Sequence, residues 1–144
     1  MSNTLIVSHD AGGAFLLSKW CRDWENKCEF VYYLNGPAID IFKNIIPDIC
    51  NLENIDWKEV SRVITSTGWQ TTFEVDAVKV AKNKGIYVVS YLDHWANYTS
   101  RFLIDGNLHL PNEIWVADNE AKLIAEKEFY NKPIEYRFIR NRHF

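Results

Sequence analysis

Short, uninterrupted apolar runs recur along the chain, and each is followed at once by a polar, glycine-bearing or aromatic segment. Leu5-Ile6-Val7 leads into Ser8-His9-Asp10-Ala11-Gly12-Gly13, and Val63-Ile64-Thr65 leads into Ser66-Thr67-Gly68-Trp69-Gln70. The run at 86–91 leads into Leu92-Asp93-His94-Trp95, and Ile114-Trp115-Val116-Ala117 leads into Asp118. Runs without the alternation of a half-solvated strand read as strands buried on both faces. The pattern predicts strands over 5–8, 29–34, 61–66, 86–91, 113–117 and 134–138, with a brief edge strand over 49–52.

Helical spacing fills the intervals. The first helix is expected from about 12 to 24, with Phe15, Leu16, Trp20 and Trp24 on its apolar face opposite Lys19, Arg22 and Asp23. Asn35-Gly36-Pro37 stops the second strand and starts a short helix over 38–46, which Pro47 ends. Thr71-Thr72-Phe73-Glu74 matches a capping box opening a helix to about 84, where Gly85 supplies a left-handed terminus. Asp118 is a plausible N-cap for a helix over 119–130, closed by Pro133. The stretch 92–112 reads as one long irregular connection, of the kind that more often carries function than not.

Strands alternating with helices imply crossover connections. The expected fold is a single three-layer α/β/α domain spanning 1–144, Rossmann-like, with a mainly parallel central sheet. In such a sheet the carboxyl-end loops emerge on one edge, where ligands bind at the point of strand-order reversal.

Composition narrows the classes. The 144 residues are 47% hydrophobic and 24% charged, so the chain can bury a core of its own, and the aromatic share of 15% includes six Trp. A net charge of -3 gives no general attraction to nucleic acid or an anionic membrane. Arg137, Arg140 and Arg142 form a local basic cluster that reads as solvated charge. Cys21, Cys28 and Cys50 form no C-x-x-C pair, which fits a reducing cytoplasm rather than a disulfide framework. No apolar run approaches the ~18 residues of a spanning helix, so direct membrane insertion is not expected.

Three segments carry candidate chemistry. His9-Asp10-Ala11-Gly12-Gly13 joins a strand to a helix, and Gly12 and Gly13 allow backbone amides to approach a phosphate, carboxylate or hydroxyl. The same glycines are equally explained by a tight turn. The segment is neither G-x-G-x-x-G nor a P-loop, and Leu34-Asn35 stands where an NAD domain places its ribose-binding acid, so no cofactor is implied. His9 and Asp10 are adjacent, which predicts diverging side chains. A pairing of either with Asp93 or His94 across loops would suit general base catalysis, and the alternative is a His that buttresses a loop.

The segment 93–102 is the densest in polar and aromatic groups. If helical, it puts His94, Tyr98 and Arg101 on one face and Trp95 and Phe102 on another, as a sugar or nucleotide site requires; the alternative is a loop pinned by Trp95 and Phe102. Thr67 and Gly68 offer a further hydroxyl and amide site, or turn and cap chemistry alone. A metal set drawn from His9, Asp10, Asp93, His94 and Asp118 has no ligand spacing behind it. The cysteines fall in or near buried elements or at an edge, away from the loops, and are poor nucleophile candidates.

At Ser8-His9-Asp10-Ala11-Gly12-Gly13-Ala14, at Leu92-Asp93-His94-Trp95-Ala96-Asn97-Tyr98 with Arg101-Phe102, and at residues 110–118, the chain resembles the N-terminal half of two-domain polysaccharide-biosynthesis proteins. These are related to GT-B glycosyltransferases and sugar-nucleotide 2-epimerases. The resemblance implies a Rossmann-like half whose loops face a cleft closed by a second domain. That other half holds the nucleotide sugar, while this half supplies acceptor contacts and sometimes a base. The sequence stops at Arg142-His143-Phe144, where the second half would begin, so complete glycosyl transfer by this chain alone is not expected.

The leading expectation is therefore a domain that binds a sugar, sugar nucleotide or similar anionic small molecule. Gly12, Gly13, Thr67, Gly68, Asp93, His94, Tyr98 and Arg101 would form the site, with His9, Asp10 and His94 as candidate catalytic groups. It would act as a homo-oligomer or with a separate second half. The alternatives are a non-catalytic oligomeric assembly protein with an aromatic-rich interface, and a small hydrolase or isomerase using a His-Asp pair.

Overall fold

The computed structural model describes residues 3–24 and 29–139. The central sheet has six parallel strands, β1 (Asn3–Ser8), β2 (Phe30–Leu34), β3 (Val60–Thr65), β4 (Tyr87–Tyr91), β7 (Glu113–Val116) and β8 (Glu135–Phe138), in the order β2-β1-β3-β4-β7-β8. The predicted three-layer α/β arrangement is present. Helices α1 (Ala11–Asp23) and α2 (Ala38–Ile45) cover one face over Ile6, Ile64, Val89 and Tyr91. On the other face, α3 (Phe73–Asn83) packs on Leu5, Val7, Val63 and Val88, and α4 (Asn119–Glu128) on Ile114 and Val116.

The chain leaves β1 toward β2 on one side and later returns to place β3 on the other. Strand order therefore reverses between β1 and β3, the position at which open sheets of this kind bind ligands. The outer edge of β2 is closed by Asn51, whose side-chain amide exchanges two hydrogen bonds with the Leu34 backbone, at 2.8 and 3.0 Å. This is all that forms of the expected edge strand over 49–52: one bridge, Asn51 to Tyr32.

Three local expectations are corrected. The buried face of α1 is Gly13, Ala14, Leu17, Ser18 and Cys21, with Leu16 and Trp20 packed at its margin, while Phe15 is 47% exposed and Trp24 is exposed as well. The capping box at 71–74 does not form, because Glu74 reaches toward β1 and β3 instead of back to its own helix start. The stretch 92–112 is not wholly irregular. It holds a 3-10 turn at Thr99–Phe102 and a hairpin of β5 (Leu103–Ile104) and β6 (Asn107–Leu108). The hairpin loop Asp105-Gly106 has positive φ at both residues, as a type I′ turn requires.

Other signals act as expected. Asp118 caps α4 by accepting from the Ala121 amide at 2.8 Å, and Gly85 takes a φ of +72° after α3. Cys21 is buried and Cys50 exposed, whereas Cys28, Arg140 and Arg142 lie outside the described residues. Among the described residues no helix is long and apolar enough to cross a membrane.

Candidate functional site

The carboxyl-end loops carry two distinct clusters. The first sits at the reversal point between β1 and β3. Ser8 and Ser66, both fully buried, meet Oγ to Oγ at 2.6 Å, and Ser66 donates to Glu74 Oε2 at 2.5 Å. The His9 amide donates to the same oxygen at 3.2 Å. Glu74 Oε1 is buried and has no hydrogen-bond partner among the described residues. Burial pushes the Glu74 carboxyl up to about 7; the Ser66 hydrogen bond opposes this and the nearby Asp10 charge reinforces it.

His9 and Asp10 do not diverge. Nδ1 of His9 lies 2.7 Å from Asp10 Oδ1, a correction to the expectation from adjacency. Two glycines make this convergence possible. Asp10 packs where a Cβ on Gly68 would stand, and a Cβ on Gly36, whose φ is +56°, would lie 2.6 Å from His9 Nε2. The second ring nitrogen therefore faces Gly36 backbone. The expected pairing of His9 or Asp10 with Asp93 or His94 is not made, because β3 lies between β1 and β4.

The second cluster is built on the loop after β4. Arg101 is 2% exposed and spends its guanidinium internally. It donates to Asp93 Oδ1, to Thr67 Oγ1 at 3.0 Å, and to the Ala96 carbonyl at 3.3 and 3.1 Å. Thr67 in turn donates to the Tyr91 carbonyl at 3.0 Å. Tyr98 is buried, donates to the His94 carbonyl, and is kept un-ionised by burial, which pushes its hydroxyl up to about 12. Arg101, Thr67 and Tyr98 thus form the frame of the loop. His94 and Asn97 both take a φ of +59°, a conformation that non-glycine residues rarely adopt, and the frame holds them in it.

Beside this frame lies a cavity of about 680 Å3, lined chiefly by Phe15 and Leu16 of α1, Ile41 of α2, Asp93, His94 and Trp95 after β4, and Asp118 and Ala121 at the start of α4. Trp95 is 55% exposed rather than pinned to the core, and its indole donates to the Asp118 carboxylate at 3.2 Å. Gly12 lines the cavity as well, and a Cβ there would lie 2.5 Å from Asp93 Oδ2. Of the residues expected to form the site, Gly12, Asp93 and His94 line the cavity; Gly13, Thr67, Tyr98 and Arg101 support the elements around it, and His9, Asp10 and Gly68 belong to the other cluster. Phe15, Leu16 and Glu74 are the functional candidates that sequence reasoning missed.

Gly13 fixes how closely α1 approaches the sheet. A Cβ there would lie 2.8 Å from Ser66 Cβ and 3.3 Å from the Thr67 carbonyl oxygen. Alanine gains up to about 1 kcal/mol of helix propensity over glycine, but overpacking costs about 1–3 kcal/mol. Gly13→Ala is therefore expected to lower the melting temperature, and a rise would show that α1 has room to spare.

Among the described residues no group of three or more His, Cys, Asp or Glu is placed to hold a metal ion. No protein-family model, curated protein or solved structure matches the chain.

Proposed function

We propose that the chain is a small-molecule-binding domain whose ligand, a sugar or the sugar end of a sugar nucleotide, occupies the cavity between α1, the loop after β4 and the start of α4. The observation that carries this reading is the pairing of two exposed aromatic rings, Phe15 and Trp95, with the polar groups of Asp93, His94 and Asp118 in one cavity of about 680 Å3. Aromatic walls with a few fixed polar groups are what an oriented sugar ring needs. The resemblance to the acceptor-binding half of GT-B-type polysaccharide-biosynthesis proteins supports the same ligand class. Of the candidate catalytic groups, His9 and Asp10 take no part in this reading, since His9 Nε2 faces Gly36 and both lie outside the cavity lining, whereas His94 lines the cavity beside Asp93 and serves as an orienting group.

Thermal unfolding against a panel of monosaccharides and nucleotide sugars tests it. A ligand present at ~100 times its Kd stabilises by about 2.7 kcal/mol, a rise of roughly 5–10 °C at this chain length. Trp95→Ala is expected to abolish the shift while leaving the unliganded melting temperature within about 2 °C. A panel that produces no shift, with His94→Ala indistinguishable from wild type throughout, overturns the reading.

A further inference from the structure

We infer that the cavity reads its ligand through donor groups on the ligand, the hydroxyls or amine of an unphosphorylated sugar ring, and that it rejects phosphate on that ring. The inference rests on the proposed sugar site and narrows its ligand to a sugar without phosphate on the ring, which sets aside the anomeric phosphoester of a sugar nucleotide.

The side-chain oxygens that line the cavity are carboxylate oxygens, which accept hydrogen bonds and cannot donate them when ionised. Asp93 is 7% exposed. Its Oδ1 takes the Arg101 donor, whereas Oδ2 accepts no hydrogen bond among the described residues and lies 3.8 Å from His94 Nε2. Asp118 Oδ1 accepts from Ala121 and Trp95, while Oδ2 accepts from Trp95 alone. Two carboxylates thus bring spare acceptor capacity to one apolar cavity, which a ligand can satisfy only by donating.

Among the described residues the lining contains no Lys or Arg, and the nearby Lys19 ammonium lies over the Phe15 ring, 3.7 Å from its centroid. Arg101, the residue best suited to a phosphate, is buried behind Asp93 and bound to it, to Thr67 and to Ala96. The positive end of α1 would ordinarily attract an anion, but Asp93 Oδ2 already stands against Gly12 in its first turn. A phosphate dianion would meet Asp118 and Asp93, with Arg101 already paired to Asp93 and the Lys19 ammonium held over the Phe15 ring.

The test compares hexoses and hexosamines with their own monophosphate esters, for example glucosamine with glucosamine 6-phosphate, by isothermal titration at constant ionic strength. At least one unphosphorylated ring is expected to bind, with its ester weaker by about tenfold or more, as expected for added negative charge near an unneutralised carboxylate. Asp118→Asn keeps a competent N-cap for α4, so the fold is retained. This variant is expected to bind the free ring less tightly and to reduce the penalty on the ester severalfold. Esters that bind as tightly as the free rings, through a site that Trp95→Ala abolishes, would overturn the donor-reading inference and leave the sugar site standing. Failure of every ring and every ester to bind would overturn both.

Discussion

Replacing Arg101 by methionine is expected to destabilise the protein by about 3–5 kcal/mol, because it leaves the buried Asp93 carboxylate without its cation. Methionine fills much the same volume, so the loss is one of charge and hydrogen bonding more than of packing. The substitution also removes the donors to Thr67 Oγ1 and to the Ala96 carbonyl, which together hold the loop after β4 against β3. A typical domain is stable by only 5–15 kcal/mol, so this single change takes a large share of the total. Urea unfolding measures it directly. The double variant Asp93→Asn with Arg101→Met is expected to recover roughly 1–3 kcal/mol, since it no longer buries an unpaired charge. A cost below about 1 kcal/mol for Arg101→Met would show that the ion pair does not organise the loop.

The second large effect is a dependence of stability on pH that comes from Glu74. Its carboxyl has an ordinary value of 4.5 and is held at about 7 in the folded protein, chiefly by burial. Between these two values the folded state holds a proton that the unfolded state has released. Stability from this group is therefore highest below pH 4.5 and falls as the pH rises toward and past 7, by roughly 3 kcal/mol in all. Glu74→Gln keeps the shape and an oxygen to accept from Ser66 and the His9 amide, but cannot ionise. Melting temperatures recorded from pH 5 to pH 8 are expected to converge for the two proteins at the acid end, with the variant pulling ahead as the pH rises. Parallel curves would show that the unfavourable ionisation of Glu74 is relieved by some other route.

The fold was largely legible because the inner strands β1, β3, β4 and β7 are largely buried on both faces and therefore read as near-continuous apolar runs. Asp118 and Gly85 were legible for a different reason: caps and left-handed turns depend on one residue and its immediate neighbours. What escaped depends on residues distant in sequence. Phe15 and Ala14 are one step apart on a helix, and which of them faces the sheet was decided by Ser66 meeting Gly13, a contact spanning more than fifty residues. Glu74 satisfied a local capping pattern yet was drawn to Ser66 and the His9 amide, partners brought near it by strand order. Arg101 and Tyr98 looked like ligand-facing donors because their acceptors, Thr67, Asp93 and two carbonyls, are positioned only in the folded loop. The Asp105-Gly106 hairpin was the exception, since its signal was local and strong.

Phe15 and Trp95 wall the cavity but belong to none of the three packed clusters that hold the helices to the sheet. Substitutions at these two positions are therefore nearly free of the constraint that governs the interior. A lineage could exchange one ligand for another by trading these rings while Gly13, Ser66 and Arg101 stay fixed, so diversity among relatives should concentrate at the cavity wall and not in the frame behind it.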